Sequence, residues 1–187
     1  MKSLSLQSVS LSKKLAFTAL FAALCCVSTI LIVIPLPNGY FNAGDIFVLL
    51  AGWCLGPLYG TAAAAVGSAL ADIWSGFALY APATFCIKGL VALLAWLVWS
   101  GAKRLIKNPA LDVVCRAVAA VLAEAVMVAG YFLFESVLYG FAGGAAALVG
   151  NTLQGVCCAV GGVAVVCAIT PIKAVRRLFP ALGTKNE

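Results

Sequence analysis

From Lys14 to Pro171 this chain is a succession of apolar stretches with only short breaks between them. A bilayer core takes about 20 apolar residues per helix. Six stretches stand out: 14–34, 45–55, 59–74, 82–101, 111–139 and 145–171. The second and third are short and are joined by Gly56-Pro57, a tight-turn signal. The fifth is long enough to tilt or to project from the bilayer. The expected fold is all-α: one membrane domain of six transmembrane helices, with residues 1–12 and 176–187 as tails. Composition agrees, with 64% apolar and 10% charged residues and a mean hydropathy of +1.11. A soluble domain runs nearer ~45–50% apolar and ~25% charged, so a soluble enzyme and a disordered chain are both excluded. The first stretch is too long for the apolar region of a signal peptide, and no A-x-A site follows it. It reads as a retained first helix.

Lysine and arginine then set the orientation. Lys2, Lys13 and Lys14 precede the first stretch; Lys103, Arg104, Lys107 and Arg116 surround the 4–5 loop; Lys173, Arg176, Arg177 and Lys185 follow the sixth. Loops 1–2, 3–4 and 5–6 carry neither residue. Six crossings put every basic cluster on one side, and the positive-inside rule makes both termini cytoplasmic. The net charge of +6 is thus a matter of orientation, and nucleic acid is not an expected partner. Trp96 and Trp99, just before Lys103, and Trp74, near the opposite face, fit interfacial belts. Small residues recur four apart at Ala19/Ala23, Gly60/Ala64, Ala63/Gly67 and Gly155/Ala159, a spacing that lets helices approach closely.

Several chemistries are missing. The chain has no histidine, which removes His-based zinc sites, Ser-His and Cys-His nucleophile pairs and histidine relays. The eight cysteines lie in apolar runs without a C-x-x-C and read as small buried residues. Neither a metal nor a cofactor is expected in this chain. A phosphate-binding loop of the G-x-x-x-x-G-K-[ST] type is absent; the nearest string, Gly60 to Ser68, lacks the lysine.

Against this background a few polar side chains stand out. An ionisable residue inside a membrane segment costs roughly 2.5–3.5 kcal/mol on insertion scales. Lys88 lies about six residues, or ~9 Å, into the fourth stretch. Asn151 and Gln154 sit at a similar depth in the sixth, Glu135 and Asp72 near outer ends, Asp45 at the start of the second, and Glu124 near mid-bilayer. Glu124, Tyr131 and Glu135 share one helix face, as do Thr84 with Lys88 and Asn151 with Gln154. Three helices thus carry polar stripes in the same half of the membrane. Such stripes converge inside the bundle, either as interhelical bonds that fix register or as an outward-open pocket for a small polar ring compound. The 1–2 loop, with Asn38, Tyr40 and Asn42, is a candidate lid over that pocket or a rigid Pro-Gly connector.

The strings Asn42-Ala-Gly-Asp45, Leu55-Gly-Pro-Leu-Tyr-Gly60, Gly67-Ser-Ala-Leu-Ala-Asp72, Ser75-Gly76, Tyr80-Ala-Pro-Ala-Thr84 and Ile87-Lys-Gly89 follow in order. Glu124, Tyr131, Glu135 and Asn151-x-x-Gln154 come after them. Together, over roughly residues 13 to 175, they resemble the substrate-binding S component of energy-coupling factor (ECF) vitamin transporters. The nearest group is the one for hydroxymethylpyrimidine, vitamin B6-type and riboflavin-like substrates. The resemblance implies six helices and a vitamin held near the outer face. It also implies docking on a membrane coupling subunit with two cytoplasmic ATPases, which use the ATP, and delivery by toppling. It places Ala19 and Ala23 in an A-x-x-x-A docking patch, and Asn42 and Asp45 at the lid and pocket entrance. Thr84, Lys88, Tyr131, Glu135, Asn151 and Gln154 would line the site, with Lys88 either touching ligand or paired with Glu135 or Asp72. A one-ring pyrimidine or pyridine vitamin is the expected substrate, with riboflavin or another vitamin as the alternative.

Other classes fit less well. A rhomboid-type protease needs a histidine, and an aspartyl intramembrane protease needs G-x-G-D, whose first glycine is missing from Asn42-Ala-Gly-Asp45. A ligand-free membrane scaffold leaves the costly polar residues unexplained.

Overall fold

The computed structural model describes residues 10–36, 39–103 and 108–182. The chain runs α1 (Leu11–Leu31), β1 (Val33–Leu36), β2 (Gly39–Asn42), α2 (Gly44–Trp74), α3 (Ala81–Lys103), α4 (Pro109–Ile169) and α5 (Lys173–Leu178), then one 3₁₀ turn, Pro180–Leu182. Helices α1 to α4 are each long and apolar enough to cross a membrane.

Two of these helices are interrupted by a glycine. Gly56 in α2 has φ 83°, ψ −171°, and Gly140 in α4 has φ 78°, ψ 170°. Both conformations favour a residue without a Cβ. Pro57 follows Gly56, where a proline suits the first turn of a new helix. At both glycines the chain turns back. A Cβ on Gly60 would strike the Ala51 carbonyl, although nine residues of straight helix span about 13 Å. A Cβ on Gly155 would meet Glu124 Cβ at 3.2 Å, across 31 residues of the same α4. Helical stretches 109–139 and 141–169 therefore run back alongside each other.

The first predicted span, 14–34, is corrected at its end. The helix stops at Leu31, and Val33 and Ile34 enter a hairpin with Val33 opposite Asn42 and Leu36 opposite Gly39. Pro35 pushes the residue before it towards extended backbone, and the β-branched Val33 and Ile34 suit it. This hairpin is the one departure from helix in an otherwise all-α architecture, among the described residues. At the start of α4, Asn108 Oδ1 accepts from Ala110 N–H at 2.9 Å and Pro109 takes the first helical turn.

The interior packs helix on helix through small residues. Gly52 lies against the Ala92 backbone, and Gly67 against the Ala22 carbonyl. Trp53 is fully buried and donates to the Ala95 carbonyl at 3.2 Å. The outer surface carries Leu15, Leu20, Val27, Val121, Leu133 and Val160, the face a lipid-embedded bundle presents. All eight cysteines are free. Cys86 and Cys157 are exposed on that outer face rather than buried, since sulfur is as compatible with hydrocarbon as with a packed core.

The basic end differs from expectation in two residues. Arg116 is buried, not a loop charge: its guanidinium lies 4.0 Å from the Trp99 ring and 5.4 Å from the Trp53 ring, with Nε 3.0 Å from Asp112 Oδ2. Trp99 is also buried, not interfacial, and donates to Asp112 Oδ1 at 2.9 Å. Aromatic faces and one carboxylate solvate the cation there in place of water. Trp74 is exposed at the other end, as expected.

Gly67 offers a direct test of this packing. Gly67→Val should lower stability by about 1–3 kcal/mol through overpacking against α1. Gly101→Ala, where a Cβ meets nothing within 4 Å, should be near neutral. Thermal melting of the two variants in detergent checks the contrast.

Candidate functional site

The polar stripes meet at the hairpin end of the bundle, opposite the start of α1 and the end of α3. Asp45, in the first turn of α2, is fully buried. Lys88 of α3 is 5% exposed and directs Nζ to both Asp45 oxygens at 2.7 Å. Gln154 of α4 donates from Nε2 to Asp45 Oδ2 at 2.6 Å. Its Oε1 accepts from the Asn42 backbone N–H at 3.1 Å and from Asn42 Nδ2 at 3.0 Å. Asn42 Oδ1 in turn accepts from Gly44 N–H at 3.0 Å. One network therefore joins the hairpin, α2, α3 and α4.

Above this floor lies a cavity of about 470 Å³. Lys88 Nζ stands 5.3 Å from the Tyr131 ring centre, and Tyr131 Oη is 2.9 Å from Thr84 Oγ1. At the mouth, the Tyr80 and Tyr139 hydroxyls approach to 3.4 Å, and Tyr80 meets Phe134 edge-on at 5.3 Å. The cavity has a polar floor, aromatic sides and four small residues from α4, Gly143, Ala146, Ala147 and Gly150. Such a space takes a flat, mostly apolar ligand with a few hydrogen-bonding groups.

Of the residues singled out from sequence, Asn42, Asp72, Thr84, Lys88, Tyr131, Glu135, Asn151 and Gln154 line the cavity. Asp45 lies under it, holding Lys88 and Gln154. Glu124 does not reach the wall. It is buried beside Gly155, and neither carboxylate oxygen has a hydrogen-bond partner among the described residues. It sits two turns beyond Tyr131 on the same face, too deep for the cavity. Tyr40 stands in β2 with its backbone opposite Pro35. Asn38 lies outside the described residues.

The partner of Lys88 is a further correction. Neither Glu135 nor Asp72 takes that place; Asp45 does. Helical spacing tells which way Lys88 faces along α3 but not which helix start lies opposite it. Thr29, Ser68, Phe77, Tyr80 and Tyr139 also line the cavity and were not singled out. A signal existed for two of them. Ser68 precedes Asp72 by four, and Tyr80 precedes Thr84 by four, so each extends a polar stripe by one turn.

The small-residue pairs divide. Gly60, Gly67 and Gly155 each face a neighbouring helical stretch at close range. Ala19 and Ala23 are exposed on the outer side of α1.

A cavity with a hydrogen-bonded polar floor inside an apolar bundle defines a membrane protein with a place to hold a small molecule. The comparisons agree. Residues 10–171 match the family of ECF-type riboflavin transporter S components, and the chain belongs to that family. It is a non-enzymatic, substrate-binding subunit of vitamin uptake. It is also similar to a Pyrococcus woesei chain described as an uncharacterized protein in the gap 3' region. The two are 36% identical over 132 residues, 70% of this chain and 83% of that one.

The ion pair makes a quantitative prediction. Lys88→Met strands the buried Asp45 carboxylate and should lower stability by about 3–5 kcal/mol. The double variant Lys88→Met/Asp45→Asn, which removes both charges, should recover most of that loss. A double-mutant cycle on melting in detergent measures the difference.

Proposed function

We propose that this chain captures a flat heteroaromatic vitamin, riboflavin in the first instance, and hands it to an ATP-driven coupling module. The observation that carries this reading is the cavity of about 470 Å³ at the end of the bundle away from every described basic residue but Lys88. It falls in the range of roughly 300–1,000 Å³ used for drug-sized ligands. Phe77, Tyr80, Tyr131 and Tyr139 supply rings to stack on or border a ring system. A single-ring ligand would leave much of that space to water. The pyrimidine or pyridine vitamin expected from sequence is the second reading. It is favoured by the polar groups crowded at the floor, where Thr84, Asn151 and Gln154 suit a small heterocycle.

In this reading the six helical stretches lie across a plasma membrane as six spans. The doubling back at Gly56 and Gly140 supports that count. Lys13, Lys14, Lys103, Lys173, Arg176 and Arg177 face the cytoplasm, together with both termini. The cavity then opens outward, and the hairpin lies beside its mouth as a lid. The chain lacks a phosphate-binding loop, so the energy for delivery comes from partners: a membrane coupling subunit and two cytoplasmic ATPases. The docking face is the outer side of α1, where Ala16, Ala19, Leu20, Ala23 and Val27 form an exposed stripe of mostly small residues. The cargo moves by toppling of the loaded subunit.

Two measurements test this. Riboflavin at about 100 times its dissociation constant should stabilise the purified protein by about 2.7 kcal/mol, with quenching of flavin fluorescence; a shift with pyridoxine and none with riboflavin selects the second reading. Ala19→Trp should leave binding by the isolated subunit intact and abolish co-purification with the coupling module. Wild-type recovery of that complex would remove α1 from the docking surface.

A further inference from the structure

We propose that Ser68 and Asp72 form a subsite that reads a hydrogen-bond donor on the ligand, and so decide which ring compounds the cavity accepts. This rests on the reading of the cavity as a ligand site.

The hydrogen-bonding capacity of the floor is largely committed within the protein. Lys88 directs two bonds to Asp45. Gln154 uses its oxygen on Asn42 and its nitrogen on Asp45. Thr84 and Tyr131 bond one another. These groups hold the cavity's shape, and a ligand that broke their bonds would gain little.

Ser68 and Asp72 keep spare capacity, although Thr84 also bonds the Asp72 carboxylate. They stand one turn apart on the same face of α2, and both line the cavity. They are 2% and 5% exposed. Yet Ser68 Oγ and Asp72 Oδ2 have no hydrogen-bond partner among the described residues. Leaving buried polar atoms unbonded is costly, and a site that does so binds best the molecule that supplies the missing bond.

The pair also states what that molecule must carry. An ionised carboxylate only accepts, whereas a serine hydroxyl both donates and accepts. A ligand carbonyl or ring nitrogen without hydrogen offers Asp72 nothing. A hydroxyl satisfies both residues, because it donates to Asp72 and accepts from Ser68. We assign the subsite to a hydroxylated substituent, since a single hydroxyl meets both residues, and leave the ring system to the aromatic sides of the cavity.

The test compares riboflavin with lumiflavin, which has the same three rings but a methyl group in place of the hydroxylated chain. Affinities come from fluorescence titration of the full-length protein in detergent. Wild type should prefer riboflavin. Asp72→Asn and Ser68→Ala should each weaken riboflavin roughly 10- to 100-fold while moving lumiflavin by less than about threefold. Equal weakening of both flavins, or no weakening of either, overturns the subsite. Ser68→Ala removes a single oxygen and keeps the measurement possible should Asp72→Asn fail to fold. Failure of the riboflavin reading looks different, since wild type then binds neither flavin. In that case the same variants are compared on pyridoxine and 4-deoxypyridoxine, which differ by one hydroxyl. Loss of the preference for pyridoxine upholds the subsite and its retention overturns it; a wild type that takes none of the four compounds overturns both assignments.

Discussion

A charged amine deep in an apolar bundle needs a counter-charge, and the rest of the site is arranged around meeting that need. Lys88 finds it in Asp45, with both carboxylate oxygens at 2.7 Å. The position of Asp45 in the first turn of α2 adds the helix N-terminus to what stabilises its charge. Gln154 bonds the same carboxylate and holds Asn42 with its other end. Removing either charge alone strands the other, so α2, α3, α4 and the hairpin are held to one arrangement. The polar network that marks the site is also what sets the helices' register.

Close helix approach is the second constraint. In a membrane the hydrophobic effect does not drive helices together, and packing relies on small surfaces that fit. Gly52 on Ala92, Gly67 on Ala22 and Gly155 beside Glu124 are such contacts. The same residue types do something else at Ala146, Ala147 and Gly150, which line the cavity. Small side chains thus serve both packing and cavity, and only the presence or absence of an opposing helix distinguishes the two.

The bundle has two unlike ends. One holds the cavity, its aromatic mouth and the hairpin. The other holds the described basic residues apart from Lys88, with Arg116 stacked on Trp99 and tied to Asp112. In the reading proposed above, such a division lets the subunit meet its vitamin at one end and its coupling partner along α1. The hairpin is bonded through Asn42 to Gln154 and so to the ion pair, which makes its position sensitive to anything that disturbs the floor.

Much of this was readable from residue order. Apolar length gave the membrane class, and the run Thr84–Lys88 and the pairs Tyr131–Glu135 and Asn151–Gln154 identified the faces that line the cavity. These are local properties: hydropathy and a 3.6-residue period state what a helix is made of and which way each side chain points. Tertiary structure alone decided that Lys88 meets Asp45 rather than Glu135 or Asp72, and that Glu124 stops short of the cavity. It also decided that Arg116 and Trp99 turn inward, and that Ser68 joins Asp72 on the wall. Each of those depends on which helix stands opposite and at what height. Contact energy between helices sets that, and no period within one helix records it.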